Sequence, residues 1–67
     1  MRTETYVMNK LTGKVGIAYD LPEWLNFDEK PPRRFDVKWG VNNYTLRAST
    51  KSTAKITKEV ADIMRGV

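Results

Sequence analysis

RRFDVKWGVNNYTLRAS, residues 33–49, is the stretch that decides the fold. Phe35, Val37 and Trp39 alternate with Asp36 and Lys38. After Gly40-Val41-Asn42-Asn43, Tyr44, Leu46 and Ala48 alternate with Thr45, Arg47 and Ser49. Successive side chains of a strand point to opposite faces, and Gly and Asn tolerate the backbone of a tight turn. The stretch therefore predicts an antiparallel β-hairpin. One face is aromatic and aliphatic. The other carries Lys38, Arg47, Thr45 and Ser49, with Asp36 as its one acid.

Upstream, Thr3 to Met8 reads as a strand, and Lys14 to Tyr19 alternates Val15, Ile17 and Tyr19 with Lys14, Gly16 and Ala18. The loop from Asn9 to Gly13 makes these two runs a first hairpin, with Gly13 free to take a left-handed turn position. Gly16 inside a strand marks a bulge or a close backbone approach. Asp20 to Leu25 is expected to form a short helical turn, with Asp20 and Glu23 at the spacing of a capping pair. Pro31-Pro32 forces extended chain and marks the connector between the hairpins. Trp24, Leu25 and Phe27 lie just before it. They read either as a lid on the core or as an exposed docking patch flanked by acids.

Downstream, Ser52 is a candidate N-cap and Thr53 to Arg65 a candidate helix. Ile56, Val60, Ile63, Met64 and Val67 share one helical face, and Gly66 is a stop signal. The predicted architecture is one α+β domain over residues 1–67: a small antiparallel sheet of two hairpins, three or four strands, with the C-terminal helix packed on one face. Tyr6, Met8, Val15, Ile17, Tyr19, Phe35, Val37, Trp39, Tyr44, Leu46 and Ala48 are expected to face the helix. Thr5, Asn9, Lys14, Gly16, Ala18, Asp36, Lys38, Thr45, Arg47 and Ser49 are expected on the opposite, polar face.

Composition narrows the chemistry. The 67 residues contain no Cys and no His, which removes thiolate chemistry, disulfides, the commonest general base and the commonest transition-metal ligand. Asp20/Glu23 and Asp28/Glu29 are the available carboxylate pairs, and both fall in polar loops that offer nothing to raise a pKa. No phosphate-loop, dinucleotide or EF-hand spacing occurs. No enzymatic activity, cofactor or metal is expected. No apolar run approaches the roughly 20 residues that span a bilayer, and Met1 to Thr5 has no apolar leader, so a cytoplasmic protein without a membrane partner is expected.

Charge is the remaining signal. The net charge is +4. Residues 20–29 hold four acids and no base, whereas residues 30–58 hold eight bases and one acid. Such asymmetry points to nucleic acid or to an acidic protein surface. Lys14, Lys38 and Arg47 on the presumed polar sheet face are the candidate contacts, with Arg33, Arg34, Lys51 and Lys55 as phosphate contacts. Residues 33–65, a hairpin followed by a capped helix with Ala54 and Lys55 near its start, resemble in element order the sheet-plus-helix DNA-binding domains of phage-type integrases and the related plant transcription-factor domain. The resemblance implies double-stranded DNA and rests on element order without a matching motif. The acidic segment at residues 20–29 departs from it, and no residue role is carried across. A basic DNA-binding regulatory or accessory domain is the first expectation.

The alternative expectation is a protein-interaction module such as a phage-encoded modulator of a host protein. It would use Trp24, Leu25 and Phe27, or self-associate through a sheet edge. A structural subunit of a larger assembly is a variant of the same idea.

Overall fold

A computed structural model of the protein describes residues 2–40 and 44–66. The turn residues Val41, Asn42 and Asn43, and Val67 of the expected helical stripe, lie outside that range. Among the described residues, five strands form one antiparallel sheet: β1 (Glu4–Asn9), β2 (Val15–Tyr19), β3 (Arg34–Trp39), β4 (Tyr44–Ser49) and β5 (Thr53–Ile56). A 3₁₀ turn, Thr50–Ser52, precedes β5, and one helix, α1 (Lys58–Arg65), follows it. The strand order is β4-β3-β2-β1-β5. The α+β class and both hairpins are present. The fifth strand is new, because the first third of the expected helix is strand.

β5 exists because the free edge of β1 takes it as a partner: Thr53 pairs with Asn9, Ala54 with Met8, Lys55 with Val7 and Ile56 with Tyr6. The helix begins instead after Thr57, whose Oγ1 accepts from the Val60 N–H at 3.2 Å. Ser52, the expected cap, gives its N–H to Ser49 Oγ within the 3₁₀ turn. Asp20 to Leu25 is not a helical turn either. Two successive tight turns close there, Leu25 N to Pro22 O at 3.1 Å and Glu29 N to Asn26 O at 3.2 Å. The Asp20 carboxylate, instead of capping, accepts from the Thr3 N–H at 3.2 Å.

The sheet is curled. β4 and β5 lie at opposite edges, yet only Thr50–Ser52 joins them. Four flat strand spacings would need about 19 Å, and the chain from Ser49 to Thr53 reaches at most about 14 Å. Thr50, fully buried, ties the crossing to β3. Its N–H donates to Arg33 O at 2.8 Å and its Oγ1 accepts from Arg33 N at 3.0 Å. Lys10 N donates to Ser52 O at 2.8 Å and fixes the other end beside β1.

The register corrects the expected faces. Gly16 pairs with Trp39 and Ile17 with Lys38. Val15, Ile17 and Tyr19, with Tyr6 and Met8 opposite them on β1, therefore share a face with Lys38, not with Trp39. The concave face holds Val7, Ala18, Phe35, Val37, Trp39 and Ala48, and Leu21, Leu25 and Phe27 of the β2–β3 connector pack on it. The Phe27 and Phe35 rings meet edge to face with centroids 5.5 Å apart. Helix α1 packs on β1 and β2, over the convex face, and buries Ala61 completely. Of the expected core stripe, Val60 and Met64 are exposed and Ile63 is 77% exposed. Tyr44 and Leu46 on edge strand β4 are exposed as well.

Gly16 makes this packing possible. A Cβ there would lie 2.6 Å from Val37 Cγ1, 2.8 Å from Lys38 O and 2.8 Å from Trp39 Cε3. Its φ is ordinary, so leaving glycine would by itself gain about 0.5–1 kcal/mol. The collision outweighs that gain, since overpacking a core costs about 1–3 kcal/mol. Gly16→Ala is therefore expected to lower the urea midpoint without changing the slope of the transition. An unchanged or raised midpoint would mean that Trp39 does not sit on Gly16.

Candidate nucleic-acid interface and aromatic patch

Alternation along β3 and β4 sends Arg34, Asp36 and Lys38 to the convex face, together with Thr45, Arg47 and Ser49. Direct cross-strand pairs are Arg34 with Ser49, Asp36 with Arg47, and Lys38 with Thr45. All but Ser49 are exposed, and Ser49 is half-buried. The connector lies on the other side of the sheet and α1 lies over β1 and β2, so neither covers this surface. Three bases against Asp36 leave a local excess of positive charge. Among the described residues the one ion pair joins Arg33 Nε to Glu29 Oε1 at 2.8 Å, so Arg34, Lys38 and Arg47 are not paired with any of them.

The surface continues past the hairpin. Lys38 Nζ lies 5.5 Å from the centre of the Tyr19 ring, and Arg2 Cζ lies 5.5 Å from the same centre. Arg65, at the end of α1, borders a shallow groove with Ile17, Tyr19 and Lys38. Tyr19 is thus flanked by cations and half-buried. Arg2 and Arg65 were not among the residues singled out by sequence. Neither alternates with anything, and only the placement of α1 and of the N-terminal residues brings them to this side.

The other expected contacts scatter. Lys14, expected beside Lys38 and Arg47, lies on the side of the sheet that carries Tyr44. Its ammonium donates to the Tyr44 hydroxyl at 3.3 Å and sits 6.0 Å from that ring. Gly16 and Ala18, expected on the polar face, are buried in the core, as the β2–β3 register requires. Lys55 pairs across from Val7 and so belongs to the concave side, beside Leu25 and Phe27. Lys51 lies on the 3₁₀ turn near Lys10 and Lys30. Arg33 sits in the connector over Trp24, with Cζ 4.9 Å from the ring centre. The structure therefore brings together Arg34, Lys38 and Arg47 of the expected set and separates Lys14, Arg33, Lys51 and Lys55 from them.

The aromatic triplet divides too. Leu25 and Phe27 pack on the core cluster, which makes them a lid. Trp24 is 65% exposed and is held from outside by Arg33, itself anchored by Glu29. Among the described residues, no group of three acidic side chains could hold a metal ion, and no helix is long and apolar enough to cross a membrane.

The two tryptophans should respond oppositely to truncation. Trp39→Ala is expected to cost about 3–5 kcal/mol, enough to unfold a domain of this size. Trp24→Ala should cost under about 1 kcal/mol, the worth of an exposed cation–π contact. Denaturant unfolding measures both, and similar losses would contradict the division into core and surface. Compared with family models, with curated proteins and with solved structures, the chain matches none.

Proposed function

We propose that this protein binds double-stranded DNA through the convex face of the β3–β4 hairpin. The observation that carries the reading is the convergence of Arg34, Lys38 and Arg47, from adjacent strands, on a surface that neither α1 nor the connector covers. Six-residue strands make a ribbon about 20 Å long, and a two-stranded ribbon fits the major groove, which is about 12 Å wide. The curl turns this face outward, so a groove can receive it. Arg34 and Lys38 suit phosphates, while Arg47 has the fork that reads guanine edges. Arg2 and Arg65 at the rim add phosphate contacts that fix orientation. Tyr19 is engaged by two cations and offers no stacking platform, which argues against single strands.

A second reading rests on Trp24. An exposed indole stacked by an arginine in a connector is a suitable anchor for a protein partner. Here the protein would be an interaction module, and Trp24→Ala should abolish capture of that partner while duplex binding persists.

A duplex titration over a range of salt tests the first reading. The log–log slope should fall by about 0.9 for each phosphate contact removed. Lys38→Ala combined with Arg47→Ala should therefore weaken binding and flatten the slope by about 0.9, from the lost Lys38 phosphate contact, with the unfolding midpoint unchanged. A double variant that binds duplex like the parent protein would overturn the reading.

A further inference from the structure

A second basic site, which includes Lys51 and Lys55, lies on the other side of the sheet. The second turn of the connector stands away from β5 and the 3₁₀ turn and leaves two adjoining hollows, each of about 400 Å³. They share Lys10, Phe27 and Asp28 as walls, so they form one trough. Lys10 and Lys55 border its first half, and Lys30 and Lys51 join Lys10 around the second. These four lysines come from the β1–β2 loop, the connector, the 3₁₀ turn and β5. None is paired with an acid among the described residues. Of the two acids in the trough, Glu29 holds Arg33 through Oε1 and has Oε2 buried without a partner, and Asp28 faces four ammonium groups.

One further feature distinguishes this trough from a chance cluster of surface lysines. Leu25 and Phe27 supply an apolar side, so the trough is not lined by charge alone. A hollow of this volume, with an apolar wall and a few convergent polar groups, is of the size that takes small organic ligands.

We infer that the trough binds a nucleoside phosphate, with its phosphoryl group among Lys10, Lys30 and Lys51 and its base against Leu25 and Phe27. Lysine serves phosphate as a mobile point charge, and several lysines around one dianion give charge-assisted hydrogen bonds while relieving their mutual repulsion. An inorganic ion would leave the apolar wall bare, and a neutral nucleoside would leave the lysines unanswered. Asp28, on the wall that both halves share, stands between the two ends, where it can accept from a ribose hydroxyl. The site is independent of the β3–β4 face, because the sheet lies between them.

The test is a titration of the full chain with AMP, ATP, adenosine and inorganic phosphate, followed by amide chemical shifts. AMP and ATP should bind saturably, ATP more tightly, with shifts centred on Lys10, Phe27, Lys51 and Thr53. Adenosine and inorganic phosphate should each bind at least tenfold more weakly than AMP. Lys10→Ala combined with Lys51→Ala should weaken AMP by about tenfold or more, the scale expected when two charge-assisted contacts are lost. Thr53→Val keeps the side-chain shape, removes only an inaccessible hydroxyl, and should leave both the fold and AMP binding unchanged. Lys38→Ala with Arg47→Ala should leave AMP binding intact, so failure of the duplex reading and failure of this one are told apart. The inference is overturned by any of three results: no saturable AMP binding, binding undiminished in the lysine double variant, or inorganic phosphate binding as tightly as AMP. A 5′-phosphorylated oligonucleotide that binds the trough while free AMP does not would also overturn it.

Discussion

The contact between Trp39 and the bare backbone of Gly16 governs the rest of the structure. β2 and β3 share only two paired positions, Gly16 with Trp39 and Ile17 with Lys38. The two hairpins are internally well paired, by five and six positions, so each is a rigid unit. What sets one against the other is this narrow seam. A six-membered ring face needs a gap in the opposing strand, and glycine is the one residue that provides it. The indole could not lie there over a Cβ. Once Trp39 is seated, Ile17 must share a face with Lys38, and the aliphatic stripe of the first hairpin must point away from the aromatic stripe of the second. A sheet with apolar residues on both faces needs two covers. The connector supplies one through Leu21, Leu25 and Phe27, and α1 supplies the other over β1 and β2.

The curl follows from the same economy of chain. Thr50–Ser52 must carry the backbone from β3's neighbour to β1's neighbour, and it can do so only if the two sheet edges approach. Buried Thr50 secures the turn by exchanging two hydrogen bonds with Arg33. Thr53 to Ile56 is then delivered alongside β1 and pairs with it. The backbone bonds gained along that edge take residues that would otherwise have extended the helix. Eight residues remain for α1, too few to be stable alone. Its cap at Thr57, its left-handed stop at Gly66 and the complete burial of Ala61 hold it. A small residue at that position lets the helix approach the sheet closely, and the larger residues around it, Val60, Ile63 and Met64, are left toward solvent.

Both hairpins were legible because alternation is a property of adjacent residues, and the pleat imposes it directly. Gly16 was legible as a site of close approach, but not what approaches it. Which face of one hairpin meets which face of the other depends on register between residues 21 and 23 positions apart, and nothing in either strand encodes that alone. The helix was misjudged for a related reason. Ile56, Val60, Ile63 and Met64 fit a helical stripe, and Thr53 to Ile56 equally fit a strand. The free edge of β1 decided between them, and that edge is a tertiary fact. The candidate interface was half legible. Arg34, Lys38 and Arg47 follow from alternation within one hairpin. Lys14 follows the first hairpin to the side of Tyr44, and Arg2, Arg65, Lys10 and Lys30 have no local pattern to mark them.

The separation of charge gains a physical meaning from the two covers. The segment at residues 20–29, which carries four acids, is adjacent in sequence to the basic half of the chain and would be expected to neutralise it. It does not reach the basic hairpin face, because Leu21, Leu25 and Phe27 bind it to the opposite side of the sheet. Its acids are engaged locally where the structure shows contacts: Asp20 with the Thr3 backbone, and Glu29 with Arg33. On the convex side, Asp36 is the one acid within the β3–β4 ribbon, directly across from Arg47. It makes no ion pair with Arg47 among the described residues and does not cancel Arg34 or Lys38. The apolar stripe that anchors the connector thus keeps the acidic segment away from the bases of the hairpin. A single core, built on one glycine, therefore determines both the packing of this domain and the sign of the surface it presents.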